Sequence, residues 1–257
     1  MSVSGEAKSE GLTLVGLLAE ARRSEAARID AETIIQAFRL HNGAPHRKGP
    51  YLRTNRGKTL AGPLTNRREE RLAKELMQQG ALTLPNETKL QLRDYQFPLK
   101  SVRSDKIGKI DLIGLTEQNQ LTLIELKIAE SIENPRIALL EALAYWAVVR
   151  GNLARTNEEF GKRGPRPDAG PGRLLIMAPD AYWRRWLEPK RKQRWLRFCY
   201  LVHEVQCKVD ARIECLVLHD HAKVTPRFTV SPVSTGMEGF TVTEDGSITD
   251  AGFFDDH

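Results

Sequence analysis

An α/β domain with a mixed central sheet flanked by helices is the fold class the sequence predicts, and three observations carry it. Two short β-rich runs, 106–115 and 121–128, are joined by the polar turn 116–120 and predict an antiparallel hairpin. A helical pattern over 66–79 and a strand pattern over 89–99 precede them. After the hairpin, an apolar helix over 137–150 leads to a buried-strand run at 173–178, the alternation expected of a sheet covered by helices.

The elements before the hairpin follow from periodicity. Leu12, Leu14, Val15, Leu17 and Leu18 open one helical pattern, and Ile29, Ile34, Ile35, Phe38 and Leu40 a second that stops at Asn42-Gly43. Together they predict a small N-terminal helical appendage or lid. The segment 46–62 is basic and punctuated by Gly and Pro, which favours a solvated linker over the alternative reading of a phosphate-binding loop. Thr65 or Asn66 caps the helix over 66–79, which Gly80 stops. On it Glu69, Leu72 and Leu76 share a face, so a carboxylate sits at the edge of the side that packs inward.

The hairpin holds the chemistry. Asp111 is set into an apolar strand, and Glu125-Leu126-Lys127 ends the next. Residues two apart on a strand share a face, so Glu125 and Lys127 point the same way, and the fold-back brings Asp111 beside them. Charges are rarely buried unless they pair or bind a metal. Gly108 and Gly114 bracket the Asp111 strand, where close approach of backbone or ligand favours glycine.

Asp111 followed by Glu125-x-Lys127 across a hairpin resembles the PD-(D/E)XK nuclease superfamily, over roughly residues 65–180 in the order helix–strand–strand–strand–helix–strand. Ile110 stands where the name pattern has Pro, a departure many members share. The resemblance implies a restriction-endonuclease-like αβββαβ core and Mg²⁺- or Mn²⁺-dependent hydrolysis of phosphodiester bonds, in DNA ahead of RNA. It assigns Asp111, Glu125 and the backbone carbonyl of Leu126 to the metal, and Lys127 to the attacking water and the scissile phosphate. The pattern Glu-x-x-Leu-x-x-x-Leu brings in Glu69, with Glu70 and Glu75 as alternatives; the opposing reading makes Glu69 a surface partner for Arg67, Arg68 and Arg71. Branches related to RecB nucleases carry Gln-x-x-x-Tyr on the following helix, where this chain has Glu141 and Tyr145, so only the tyrosine matches. A salt bridge from Lys127 to Asp111 or Glu125 at a sheet end is the competing structural reading.

Beyond the hairpin, 151–172 is rich in Gly, Pro and Arg and predicts a long surface loop. A basic aromatic helix over 181–205, kinked at Pro189, carries Arg184, Arg185, Arg191, Lys192 and Arg194 among Trp183, Trp186 and Trp195. Such a stripe either tracks a phosphate backbone with tryptophans stacking on unpaired bases, or is a solvated face with tryptophans turned to the core. Further strands are expected at 211–219 and 227–233, and an acidic tail closes the chain. His219-Asp220-His221 resembles a metal cluster but reads better as a solvated strand end.

These elements divide the chain into 1–62, a helical region and linker, 63–233, the nuclease-like domain, and 234–257, the acidic tail. A net charge of +6 suits an acidic partner. No apolar run reaches the roughly 20 residues of a membrane span and no signal peptide opens the chain. Cys199, Cys207 and Cys215 are widely spaced, which predicts reduced thiols and a cytoplasmic protein rather than zinc. Neither a Gly-x-Ser-x-Gly elbow nor a Gly-rich phosphate loop is present, which leaves serine hydrolase and NTPase readings unsupported. The partners expected are nucleic acid, a homodimer mate, or a larger defence or repair complex. The rival function is a non-catalytic nucleic-acid- or partner-binding module on the same fold.

Overall fold

The computed structural model describes residues 13–24, 29–41, 51–52, 68–99, 108–233, 240–242 and 248–250. Seven strands form one mixed sheet in sequence order: β1 (Ala81–Thr83), β2 (Lys89–Pro98), β3 (Lys109–Thr116), β4 (Leu121–Leu126), β5 (Gly172–Pro179), β6 (Ala211–Asp220) and β7 (Phe228–Pro232). β1 to β4 run antiparallel, β4, β5 and β6 parallel, and β7 antiparallel again. Parallel neighbours need long crossovers. Helices α4 (Pro135–Gly151) and α5 (Leu153–Gly161) supply the first; α6 (Asp180–Leu187), a 3₁₀ turn at Pro189–Arg191 and α7 (Lys192–Gln206) supply the second. A separate hairpin pairs β8 (Phe240–Val242) with β9 (Ile248–Asp250), within the predicted tail.

The expected β2, β3 and β4 are present, and the 116–120 turn closes with Thr116 N–H donating to the Gln120 carbonyl at 3.1 Å. Glycine is required at Gly114, where a Cβ would stand 2.6 Å from the Gln91 carbonyl oxygen of β2. At Gly108 a Cβ would run into the Tyr145 hydroxyl.

Two cores lie on opposite faces of the sheet. Helix α3 (Arg68–Gln79) packs Ala73, Leu76 and Met77 against Leu90, Leu112, Leu126 and Met177. The other face carries α4, started by the Asn134 side chain accepting from Arg136 N–H at 2.9 Å with Pro135 in the first turn. α4 is buried almost all round because the sheet, α7, and helices α1 (Leu14–Arg23) and α2 (Ala31–His41) enclose it. The outer strands approach each other, so the sheet is nearly a barrel. Gln79 spans that gap, donating to the Phe228 carbonyl at 2.9 Å and accepting from Phe228 N–H at 2.7 Å, in the manner of a strand partner.

Four expectations need correction. α1 and α2 are not an appendage: Leu14, Leu17, Ile34 and Phe38 belong to the α4 core, because two amphipathic helices shorter than a dozen residues need a shared apolar surface. The 151–172 stretch is not all loop; α5 forms there because Thr156 and Phe160 bury one face. The 181–205 helix is two helices, since Pro189 ends the first rather than kinking it. Strand β1 escaped the sequence reading, three residues being too few for a periodic signal. Most of the 46–62 segment lies outside the described residues, but Tyr51 and Leu52 are buried rather than solvated, with both N–H groups donating to Glu159 at 2.7 and 2.8 Å.

Among the described residues no single helix is long and apolar enough to cross a membrane; α4 and α5 pass only as a pair bent by 79°, and α4 is covered by protein. The three cysteines are free.

Candidate active site

Strand register brings the predicted residues together. Leu112 pairs with Ile124, and one further step sets Asp111 opposite Glu125, whose own side chain is on the α4 side of the sheet. Lys127, two residues on, shares that face, and its N–H donates to the Met177 carbonyl at 2.9 Å. Asp111 is fixed through both oxygens: Gln96 Nε2 donates to Oδ1 at 3.0 Å and Leu126 N–H to Oδ2 at 2.9 Å.

Lys127 is 2% exposed, donates to Glu125 Oε1 at 3.0 Å and Glu141 Oε2 at 2.8 Å, and forms an ion pair with Glu133 Oε2 at 2.9 Å. Arg22 of α1 caps the cluster by pairing with Glu141 and, at 3.8 Å, with Glu133. The second carboxylate oxygen of Glu125 is buried with no hydrogen-bond partner. Buried polar atoms are nearly always satisfied, so this oxygen calls for a positive partner, either a proton shared with Glu141, to which Glu125 hydrogen-bonds, or a cation.

Charge balance points the same way. Asp111, Glu125, Glu141, Glu133 and Glu69 face two cationic side chains, Lys127 and Arg22. Burial pushes Asp111 up to about 7, with Glu69 and Glu141 adding to the rise and the Leu126 N–H and Lys127 opposing it. Burial also raises Glu125 well above the usual carboxylate range, with Glu141 and Asp111 reinforcing and Lys127 opposing. Glu141, although buried, goes down because Lys127, a hydrogen bond with Glu125 and the Arg22 guanidinium together outweigh the burial. Burial lowers the affinity of Lys127 for its proton, but Glu125, Glu141 and Glu133 outweigh that and hold the ammonium charged.

The site opens on a groove of about 520 Å³ lined by Arg68, Glu69, Gln96, Lys109, Asp111 and Ser131 among others. Asp111 and Glu69 reach it; Glu125 and Lys127 lie behind. Burial raises Glu69 as well, with Lys127 opposing, which places it in the same electrostatic cluster. Glu70 also borders the groove but pairs with Lys74 at 3.2 Å, and Glu75 is held by Arg71 and Arg227. The 128–134 loop over the site is gripped from several elements: Arg68 pairs with Glu130, Tyr182 donates to the Glu133 carbonyl at 2.9 Å, and Arg185 donates to the carbonyls of Ser131 and Ala129.

That last contact turns the half-buried Arg185, expected on a nucleic-acid surface, toward the 128–134 loop. The base-stacking part of that assignment is also overturned: Trp183, Trp186 and Trp195 are buried, and Trp183 Nε1 donates to the carbonyls of Ala178 and Leu216. Arg184 pairs with Asp180, Arg191 lies over the Trp186 ring at 4.7 Å, and Lys192 and Arg194 are exposed. His219 and His221 bond Ser231 and Thr229, each at 2.8 Å, and Arg227 takes Asp220, which leaves a structural strand end.

The sequence reading missed Gln96, Glu133 and Arg22 as members of the site, and took Glu141 only as a mismatch. A lone acid inside a helix apolar on every side carried the same signal as Asp111 in its strand. Nothing in the sequence marks Gln96 or Arg22, which depend on register and helix docking.

Among the described residues no group of three or more His, Cys, Asp or Glu side chains stands at metal-ligating spacing. Two carboxylates nevertheless suffice for Mg²⁺, which keeps several of its waters. No protein-family model, no curated protein and no solved structure matches the chain.

Proposed function

We propose that the chain is a metal-dependent nuclease of the PD-(D/E)XK kind, with α3-β2-β3-β4-α4-β5 as its restriction-endonuclease-like core, hydrolysing phosphodiester bonds in nucleic acid, DNA ahead of RNA. The observation that carries this reading is the meeting of Asp111, Glu125 and Lys127 at one end of the β3–β4 hairpin with an acid surplus and an orphaned Glu125 oxygen. The residues fit a hard divalent cation: Asp111, Glu125 and the Leu126 carbonyl would hold Mg²⁺ or Mn²⁺. Such an ion, when bound, supplies a nucleophile at neutral pH and neutralises charge at the phosphorus.

The chain's own residues do the rest. Gln96 and Leu126 N–H orient the Asp111 carboxylate toward the groove. Lys127, fully protonated, orients Glu125 and compensates its charge. Glu69, raised by burial on the groove wall, takes or releases a proton closer to neutrality than an ordinary glutamate does. Arg68 and Lys109 give the acidic floor a cationic rim suited to flanking phosphates.

One observation favours a second reading, a non-catalytic nucleic-acid- or partner-binding module on the same fold: the Lys127 ammonium is enclosed and shared among three carboxylates. Plasmid and single-stranded DNA incubated with Mg²⁺ or Mn²⁺ separate the two. Wild type is expected to cut while Asp111→Ala and Lys127→Ala do not. Equal cutting by all three would remove the site assignment, and DNA binding without cutting under either metal would establish the second reading.

A further inference from the structure

The geometry points to Gln96 as the positioning residue for Asp111, a role that rests on the metal-dependent reading above and adds to it the part that sets metal affinity. Three observations converge on it. Strand β2 carries one extra residue between Leu92 and Asp94, so its pairing with β3 shifts by one: Leu92 faces Gly114, but Asp94 faces Ile113. Had the first register continued, Asp111 would lie opposite Tyr95. With the bulge, Tyr95 pairs with Leu112 and Phe97 with Ile110, and the residue opposite Asp111 is Gln96.

Gln96 also has a left-handed backbone, φ +51°. Among the described residues, four others than glycine have positive φ, and Glu87, Asn119 and Asp210 sit in turns; Gln96 alone lies inside a strand. A strand that needs such a kink would be served better by Gly or Asn. Glutamine gains nothing there from its backbone, so the gain has to come from its side chain, whose Nε2 donates to Asp111 Oδ1.

The kink does something specific. Tyr95 and Leu112 belong to the α3 core, whereas Phe97 and Ile110 belong to the α4 core. The pair Gln96–Asp111 therefore sits where the strands exchange faces, between the two apolar cores, and there a carboxylate reaches the groove without displacing either. Gln96 lines the same groove. With one donor on each oxygen, the plane of the Asp111 carboxylate is fixed and its remaining lone pairs are left for a cation.

The test titrates the full-length protein with Mn²⁺, following the free-ion signal by electron paramagnetic resonance, and records thermal midpoints without metal. Gln96→Gly and Gln96→Asn accept the left-handed backbone, the first removing the amide and the second drawing it back by one methylene from Asp111; Gln96→Met keeps the bulk and the strain without the donor. All three are expected to bind Mn²⁺ about 10–100-fold more weakly than wild type, the range for partners that orient a metal ligand. The midpoints of the Gly and Asn variants should nonetheless match or exceed that of Gln96→Met. Unchanged affinity in the three variants, or affinity falling only in step with the midpoint, overturns the role. Wild type that binds no Mn²⁺ overturns the nuclease reading and this inference with it, whereas wild-type binding with indifferent Gln96 variants overturns this inference alone.

Discussion

Asp111→Asn should stabilise the protein at neutral pH while abolishing the proposed nuclease activity. The carboxylate is buried and raised from 3.8 to about 7. A carboxyl whose folded value lies above its unfolded one contributes stability below the unfolded value and loses it as pH rises through the folded one. The folded wild type therefore weakens between about pH 4 and pH 7 on account of this group, by about 1.4 kcal/mol for each tenfold difference in proton affinity, or roughly 4 kcal/mol in all. Burial leaves little solvent screening to reduce that figure. The amide variant keeps the shape, and its two polar atoms can meet the Leu126 N–H and, after rotation of the Gln96 amide, the Gln96 oxygen. Urea unfolding at pH 4.5 and pH 8 measures the effect, since the variant-minus-wild-type difference isolates Asp111 from Glu125 and Glu69, which titrate in both proteins. The variant should gain about 2–4 kcal/mol on wild type between the two conditions. Parallel pH dependences would show that Asp111 ionises in the fold as freely as in the unfolded chain, and the electrostatic account of the site would fail.

Lys127→Met leaves Glu125 and Glu141 buried without their ammonium, so unfolding at neutral pH should show a loss of about 3–5 kcal/mol that shrinks at acid pH as the carboxylates take up protons. Gly114→Ala places a methyl 2.6 Å from the Gln91 carbonyl oxygen, and the resulting separation of β2 from β3 should lower stability by about 1–3 kcal/mol in the same assay. Replacing Arg191, Lys192 and Arg194 together by Ser should weaken DNA binding and make the salt dependence of log K shallower by about three, if each meets a phosphate; an unchanged slope would rule that face out.

Elements with strong periodicity were legible in the sequence, and so was the hairpin, because polar–apolar alternation and turn chemistry are local. α4 shows the principle: an apolar helix beginning at Asn134-Pro135 can only be a covered one. The site was legible where a charge interrupts an apolar strand, as at Asp111, Glu125 and Lys127. What escaped depends on tertiary choices. Arg22 enters the site because α1 docks on α4, and Gln96 enters because a single bulge changes register. The tryptophans of α6 and α7 show a choice the sequence left open: basic residues between them suited either a binding stripe or a solvated face, and helical spacing turns the rings inward and leaves the cations outside.

The departures from cheap packing are not scattered. The β2 bulge, the left-handed Gln96, the raised Asp111, the orphaned Glu125 oxygen and the threefold-shared Lys127 all lie within one end of two adjacent strands. A salt bridge kept for stability alone would be expected to balance its charges and satisfy its atoms, since unbalanced buried ions destabilise. Here acids outnumber cations, and one acid oxygen finds a bond only through a proton shared with Glu141 or through a cation. The same patch would be more stable with Asp111 neutral, and such concentrated, uncompensated cost is what a site shaped for an external cation and phosphate would produce. Asp111→Asn should improve the fold and impair the proposed chemistry, so measuring stability and metal affinity together separates a structural ion cluster, in which the two move in parallel, from a catalytic one, in which they move in opposite directions.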